Sequence, residues 1–268
     1  MPETLRQHAR GLGGAVAEPR HASTIVVVRD GAEGIEAYLM RRQTSMAFAA
    51  GMYVFPGGGM HPDDITQDVP WAGPAAAEWG DRLRCEESLA RGLVVAAVRE
   101  TFEETGVLLA GPDESTVLAD TSGADMQAAR AALEDGELAF GDFLRDHGLI
   151  LRADLIGAWA HWITPAFEPR RYDTRFFVAA LPAGQRVGEM SREADRADWA
   201  PLRRVLAAVE AGEAAMMPPT AITCQEVAEH TADTILTAAA ARTIHTVEPR
   251  LVEVDGELFL ESDLEGPT

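Results

Sequence analysis

Three glutamates, Glu100, Glu103 and Glu104, carry the densest chemistry in this chain. They lie in the run Arg99-Glu100-Thr101-Phe102-Glu103-Glu104-Thr105-Gly106-Val107. The run follows helix formers from Leu89 to Val98 and ends at a glycine suited to capping a helix. On a helix the three carboxylates share one narrow face. Like charges at these spacings repel. They also crowd the carboxy-terminal half of the helix, where the macrodipole disfavours anions. A sequence that accepts both penalties points to a bound cation. Ala96 and Ala97, one turn earlier on that face, leave room for it, and Arg99 stands where it can orient Glu103 by a charge-assisted hydrogen bond. Oxygen donors with no His or Cys among them suit a hard cation, Mg²⁺ or Mn²⁺, better than zinc or iron. The competing reading is a solvated acidic helix end, the usual fate of a charge run.

The elements that must position these groups begin upstream. Tyr53-Val54-Phe55 alternates like a strand end and runs into Pro56-Gly57-Gly58-Gly59, a tight turn with exposed backbone amides and carbonyls. Strand, glycine turn and acidic helix together resemble the Nudix box, G-x5-E-x7-R-E-U-x-E-E-x-G-U, where U is bulky and apolar. Its second half is matched at every fixed position from Arg99 to Val107, with Thr101 a weak U. Counting back from Arg99, Cys85 and Arg91 stand where the glycine and first glutamate belong. The glycines lie about 27 residues too early, so an insertion, roughly 63–88, splits the box. The early glutamate is then replaced by Asp64 or absent.

The split is itself a resemblance, to the acyl-CoA diphosphatase branch of the Nudix superfamily (nucleoside diphosphate-linked moiety X motif 19-like). Met46 to Gly58 looks like that branch, as do Trp162-Ile163-Thr164-Pro165, Arg170 to Phe177 and, more weakly, Pro218-Pro219-Thr220. The resemblance implies an α/β fold: a Nudix α/β/α sandwich with a mixed sheet, the insertion, and a helical C-terminal region. It implies hydrolysis of a diphosphate bond, in coenzyme A or acyl-CoA, to 3′,5′-ADP and (acyl-)4′-phosphopantetheine. Glu100, Glu103, Glu104 and the Gly57 carbonyl would hold Mg²⁺ or Mn²⁺, with Arg99 steadying the glutamates. The general base would be a ligand-free glutamate of this helix, or Glu189 or Glu193. Coenzyme A-specific Nudix enzymes carry an upstream signature of two arginines and a glycine. Arg42 and Gly51 fall on two of its places, and Ala47 on that of the second arginine.

Phosphate contacts need cations, and the chain has few. Its 23 Lys and Arg against 43 Asp and Glu give a net charge of −20. No basic footprint exists for a nucleic acid or an anionic membrane. The concentrated positive groups are Arg41-Arg42 and Arg170-Arg171-Tyr172-Asp173-Thr174-Arg175. Guanidinium binds phosphate in bidentate fashion, so Arg42, Arg170 and Arg171, with Asp173 orienting one of them and Gly58 close by, are the substrate-contact candidates. Each arginine has a plainer reading as a strand end or surface loop.

The rest of the chain supplies the frame. Residues 1–20 are expected to form a flexible arm, 21–211 the Nudix domain, and 212–268 a helical extension with a terminal hairpin around Asp255-Gly256. Thr24 to Val28 is a buried strand and Ile35 to Met40 its returning partner. Trp71 and Trp79 in the insertion are read as packing residues. Asp125 to Leu133 and Leu138 to His147 have helical periodicity without expected chemistry. The segment from Gly111 to His147 is expected to lie outside the sheet as decoration. Ala158 to Ile163 reads as a strand, His161 in it as structural, and Thr220 as a helix N-cap. Cys85 and Cys224, the two cysteines, form no disulfide framework. With no apolar run near the ~20 residues that span a bilayer, the chain reads as cytoplasmic. A homodimer is compatible with it. Two other functions stay open: hydrolysis of ADP-ribose, NADH or a similar dinucleotide, and a catalytically silent Nudix ligand-binding module.

Overall fold

Strand β1 (Arg20–Gly31) forms the spine of the molecule, because Ile25, Val26, Val27 and Val28 are all 0 % exposed and so are covered on both faces. The computed structural model describes residues 16–43, 51–188, 194–255 and 257–264. After β1 the chain turns at Gly34, whose φ of 107° suits glycine, into β2 (Gly34–Arg42). Two short strands follow, β3 (Tyr53–Val54) and β4 (Gly57–Gly59), then helix α1 (Pro62–Thr66), β5 (Trp71–Ala72) and α2 (Ala76–Leu83). The long helix α3 (Glu87–Thr105) comes next, ahead of β6 (Ala110–Gly111), α4 (Ala124–Glu134), α5 (Phe140–Asp146) and β7 (Ile150–Arg152). Strands β8 (Gly157–Ile163), β9 (Tyr172–Ala180) and β10 (Ala194–Pro201) precede helices α6 (Leu202–Glu210), α7 (Pro218–Val227) and α8 (Ile235–Ala241). Strand β11 (Thr246–Val247) and a hairpin of β12 (Arg250–Val254) and β13 (Glu257–Glu261) complete the described chain.

The main sheet is mixed, in the order β10-β2-β1-β9-β8-β11. Strands β1 and β9 run parallel, Ile25 opposite Phe177, while β1–β2 and β8–β9 are antiparallel. Strand β4 pairs with the start of β1, setting Gly57 opposite Thr24 and Gly59 opposite Ala22. One face of the sheet, through Ile25, Val27 and Phe177, packs on α3. The other, through Val26, Val28, Phe176 and Val178, packs on α6, α7 and α8. The architecture is the α/β/α sandwich with a mixed sheet. Among the described residues no helix is long and apolar enough to cross a membrane.

Helix α3 is buried almost all round, from Leu93 to its last residue. The residues outside the main sheet supply that cover. In the insertion, Trp79 is 1 % exposed and meets Phe177 edge-on. Beyond α3, Phe143 of α5 stacks on Phe102 with ring centroids 5.1 Å apart. The segment from Gly111 to His147 does lie off the main sheet, but Leu133, Phe140, Phe143 and Leu144 are core residues, so it is more than decoration. Thr220 is inside α7 rather than capping it: Met217 is the N-cap and Pro218 takes the first turn, where its missing N–H costs nothing.

Candidate active site

The carboxy-terminal half of α3 is organised around one buried guanidinium. Arg99 is 3 % exposed. Its Nε and Nη2 donate to the two oxygens of Asp64, each at 3.0 Å, and Nη2 also donates to the Gly59 carbonyl at 3.0 Å. Its Nη1 donates to Glu100 Oε1 at 2.9 Å and to both oxygens of Glu103 at 3.2 Å. The third glutamate is held from the glycine turn: the Gly57 amide donates to Glu104 Oε2 at 2.6 Å. A Cβ at Gly58 would come within 2.4 Å of Glu100 Oε1, so the glycine lets that carboxylate lie against the turn.

Asp64 closes the split box. It is buried in α1, and the His61 amide also donates to its Oδ2 at 2.7 Å. Counted from Gly58, it stands where G-x5-E calls for the first glutamate. That spacing was the signal for it in the sequence; the shorter acid obscured it.

Three carboxylates, Asp64, Glu100 and Glu103, therefore share one arginine, and their chemistry shows the imbalance. Burial pushes the Glu100 carboxyl up to about 7; Arg99 opposes this, and Glu103 and Asp64 add to it. Burial also raises Glu103, again against the pull of Arg99, with Asp64 and Glu134 contributing repulsion. For Arg99 burial works the other way, but Glu100, Asp64 and Glu103 outweigh it and fix the proton on the guanidinium. Among the described residues no group of three His, Cys, Asp or Glu side chains is placed to hold a metal ion. The donor set still fits a hard divalent cation: all oxygen, buried, and short of positive charge.

Glu100, Glu103 and Glu104 line a cleft of about 810 Å³. Gly57 and Gly58 join them in its lining, as do Glu134 and Asp135 from the end of α4. Much of the remaining lining is apolar, with Phe55, Trp162, Phe167, Met217, Pro218 and Leu260. Glu134 had no motif to announce it, whereas Phe55, Trp162 and Pro218 lie in the stretches that carried the family resemblance.

The arginine candidates separate. Arg42 lines the cleft. Arg171 is buried and committed to the protein: Nε donates to Thr164 O at 2.9 Å, Nη1 to Ala17 O at 2.9 Å and Nη2 to Glu248 at 2.5 Å. It ties the chain start and the segment before the hairpin to β9, and the expected phosphate contact gives way to that role. Arg170 is exposed and is not part of the cleft lining. Asp173 orients neither of them. It lies 2.6 Å from His161 Nε2 and pairs with Arg175. Both Asp173 and Arg175 lie within β9, which begins at Tyr172, and alternate with the cleft-lining Thr174 and Phe176. The pattern places Asp173 on the other face of β9 from Thr174, and it is not part of the cleft lining. His161, with Thr246 on its other nitrogen at 2.8 Å, is structural. Glu189 and Glu193, the loop candidates for the base, lie outside the described residues, as do Met46 to Ala50.

A family model described as the NUDT19 Nudix domain matches residues 77–226. The acyl-coenzyme A diphosphatase NUDT19 of Xenopus laevis is 23 % identical over 197 residues, covering 61 % of this chain and 52 % of its own length. The chain thus spans about half the length of the curated relatives it matches. Among solved structures, a NUDIX hydrolase from Alicyclobacillus acidocaldarius is 31 % identical with a TM-score of 0.67, over 83 % of this chain and 97 % of that one.

Proposed function

The chain belongs to the NUDT19-type Nudix family, and from that premise we propose that it is a metal-dependent diphosphatase that cleaves coenzyme A or acyl-CoA to 3′,5′-ADP and (acyl-)4′-phosphopantetheine. The observation that carries the substrate is the cleft's mixed lining. It combines the carboxylates of Glu100, Glu103 and Glu104 with apolar side chains such as Phe55, Trp162, Phe167, Met217 and Leu260, a match for a substrate that joins a diphosphate to an acyl or pantetheine arm.

Nudix hydrolases generally use divalent metals. Glu100, Glu103 and Glu104, with the Gly57 carbonyl, are the proposed ligands for Mg²⁺ or Mn²⁺. Such a cation would neutralise phosphate charge and lower the pKa of water. The protein's own part is to aim and hold. Asp64 fixes Arg99, Arg99 fixes Glu100 and Glu103, and the Gly57 amide fixes Glu104. A carboxylate free of the cation, on α3 or at Glu189 or Glu193, takes the proton as water oxygen bonds to phosphorus and the bridging P–O bond breaks. Arg42 and Gly58 are the proposed phosphate contacts. The division into a 1–20 arm, a 21–211 Nudix domain and a 212–268 extension belongs to the same proposal.

The test is a product screen with coenzyme A, acyl-CoA, ADP-ribose and NADH, each with Mg²⁺ and with Mn²⁺. Release of 3′,5′-ADP from coenzyme A or its acyl ester is the expected result. Hydrolysis of ADP-ribose or NADH without it would transfer the protein to the dinucleotide reading. Ligand binding without cleavage of any of them would make it a silent module.

A further inference from the structure

Helix α3 carries its carboxylates near its carboxy-terminal end, where the macrodipole is negative, and it has no basic residue in its last turn. Most of the carbonyls at that end meet neutral donors. Phe102 O accepts from the Gly106 amide at 2.8 Å, Thr105 O from the Gly188 amide at 2.7 Å, and Gly106 O from the Thr121 hydroxyl at 2.8 Å. The exception is Glu103 O, which accepts from Arg130 Nε at 2.8 Å. Arg130 is 6 % exposed and belongs to α4, 27 residues away in sequence. A helix end that opposes anions gains from a cation within its last turn. Here another element supplies it, at the main chain of one of the cleft glutamates. Four residues further along α4, Glu134 reaches the same cleft.

We propose that Arg130 is a positioning residue for the cleft: its bond to the Glu103 carbonyl fixes the last turn of α3 and so aims the Glu103 and Glu104 side chains. The inference rests on the hydrolase reading for its consequence, but its direct effect is on how well the carboxylates hold a cation. Groups that orient metal-binding side chains typically contribute tenfold to a hundredfold in affinity or activity.

The experiment compares the full chain with Arg130→Met, Arg130→Gln and Arg130→Lys. Three quantities are measured for each: melting temperature, Mn²⁺ affinity by titration of the metal alone, and kcat and KM on the substrate the product screen identifies. Arg130→Met should weaken Mn²⁺ binding about tenfold and lower kcat about ten- to a hundredfold, with KM changed less than about threefold. Arg130→Lys, which keeps the charge, should recover most of the Mn²⁺ affinity. If Arg130→Met does not fold, Arg130→Gln against Arg130→Lys decides by the same criteria. Wild-type Mn²⁺ affinity in a folded Met or Gln variant would overturn the proposal. So would equal losses in the Lys and uncharged variants that follow melting temperature alone. A wild-type chain that binds Mn²⁺ but cleaves no diphosphate would refute the hydrolase reading, and the Mn²⁺ affinities would still decide the role of Arg130.

Discussion

Removing all metal from this protein should make it less stable as the pH rises, and Glu100 should be a principal cause. In the folded chain its carboxyl is pushed up to about 7 from an ordinary 4.5, first by burial and then by Glu103 and Asp64. Between those values the folded state holds a proton that the unfolded state has released. Stability from this group is therefore complete below about pH 4.5 and is lost as pH climbs through 7. The gap corresponds to on the order of 3 kcal/mol. For a chain of this size that is roughly 5–10 °C in melting temperature. Thermal melts in a chelator from pH 5 to pH 8 would measure it, with Glu100→Gln as reference. Glutamine keeps an acceptor for Arg99 but cannot ionise, so the variant should gain on the wild type steadily across the range. Glu103, whose charge helps raise the Glu100 carboxyl, contributes to the same difference. Adding Mg²⁺ or Mn²⁺ at pH 8 should raise the wild type more than the variant. Parallel melts of wild type and Glu100→Gln from pH 5 to pH 8 would refute the reasoning.

Glu103→Gln and Glu104→Gln should each reduce turnover by about two to three orders of magnitude while circular dichroism stays native; near-normal turnover in both would remove them from the ligand set. Asp64→Ala strips Arg99 of its two-point partner in a buried setting and should destabilise the fold by about 3–5 kcal/mol, read as a drop in the urea midpoint. Arg42→Ala should raise KM for the diphosphate substrate about ten- to a hundredfold, the scale of a charged hydrogen bond. Arg171→Ala should instead lower the melting temperature with little change in KM, because its guanidinium is bonded to Thr164, Ala17 and Glu248. The reverse pattern would return Arg171 to the phosphate.

The sequence made the frame legible wherever a local rule and the tertiary fold agreed. Four consecutive β-branched residues, Ile25 to Val28, fit a strand covered on both faces, and Gly106 caps α3 with a φ of 75°. The glutamate face was readable because helical spacing alone brings Glu100, Glu103 and Glu104 together. Arg170 to Arg175 was misleading because a dense basic run looks like a loop. Its end is in fact a strand, whose alternation sets Asp173 and Arg175 on the other face from the cleft-lining Thr174. Nothing local could reveal Arg130. Its role depends on α4 meeting the end of α3, and a single arginine in an amphipathic helix carries no signature of the carbonyl it will find.

The interruption between Gly58 and Arg99 has an entropic meaning as well as a structural one. Asp64 and Arg99 meet across 35 residues, where the uninterrupted E-x7-R pattern would join them through eight. Loop-closure entropy grows only with the logarithm of length, so this detour costs about 1.3 kcal/mol. Trp79, planted against Phe177 from inside the detour, offsets a cost of that size by its burial. The motif is thus held together by a contact in space, and chain length between its halves is nearly free to vary. A search for the motif as two separately placed words, joined only by the pairing of an acid with an arginine, should find chains that a fixed-spacing search passes over.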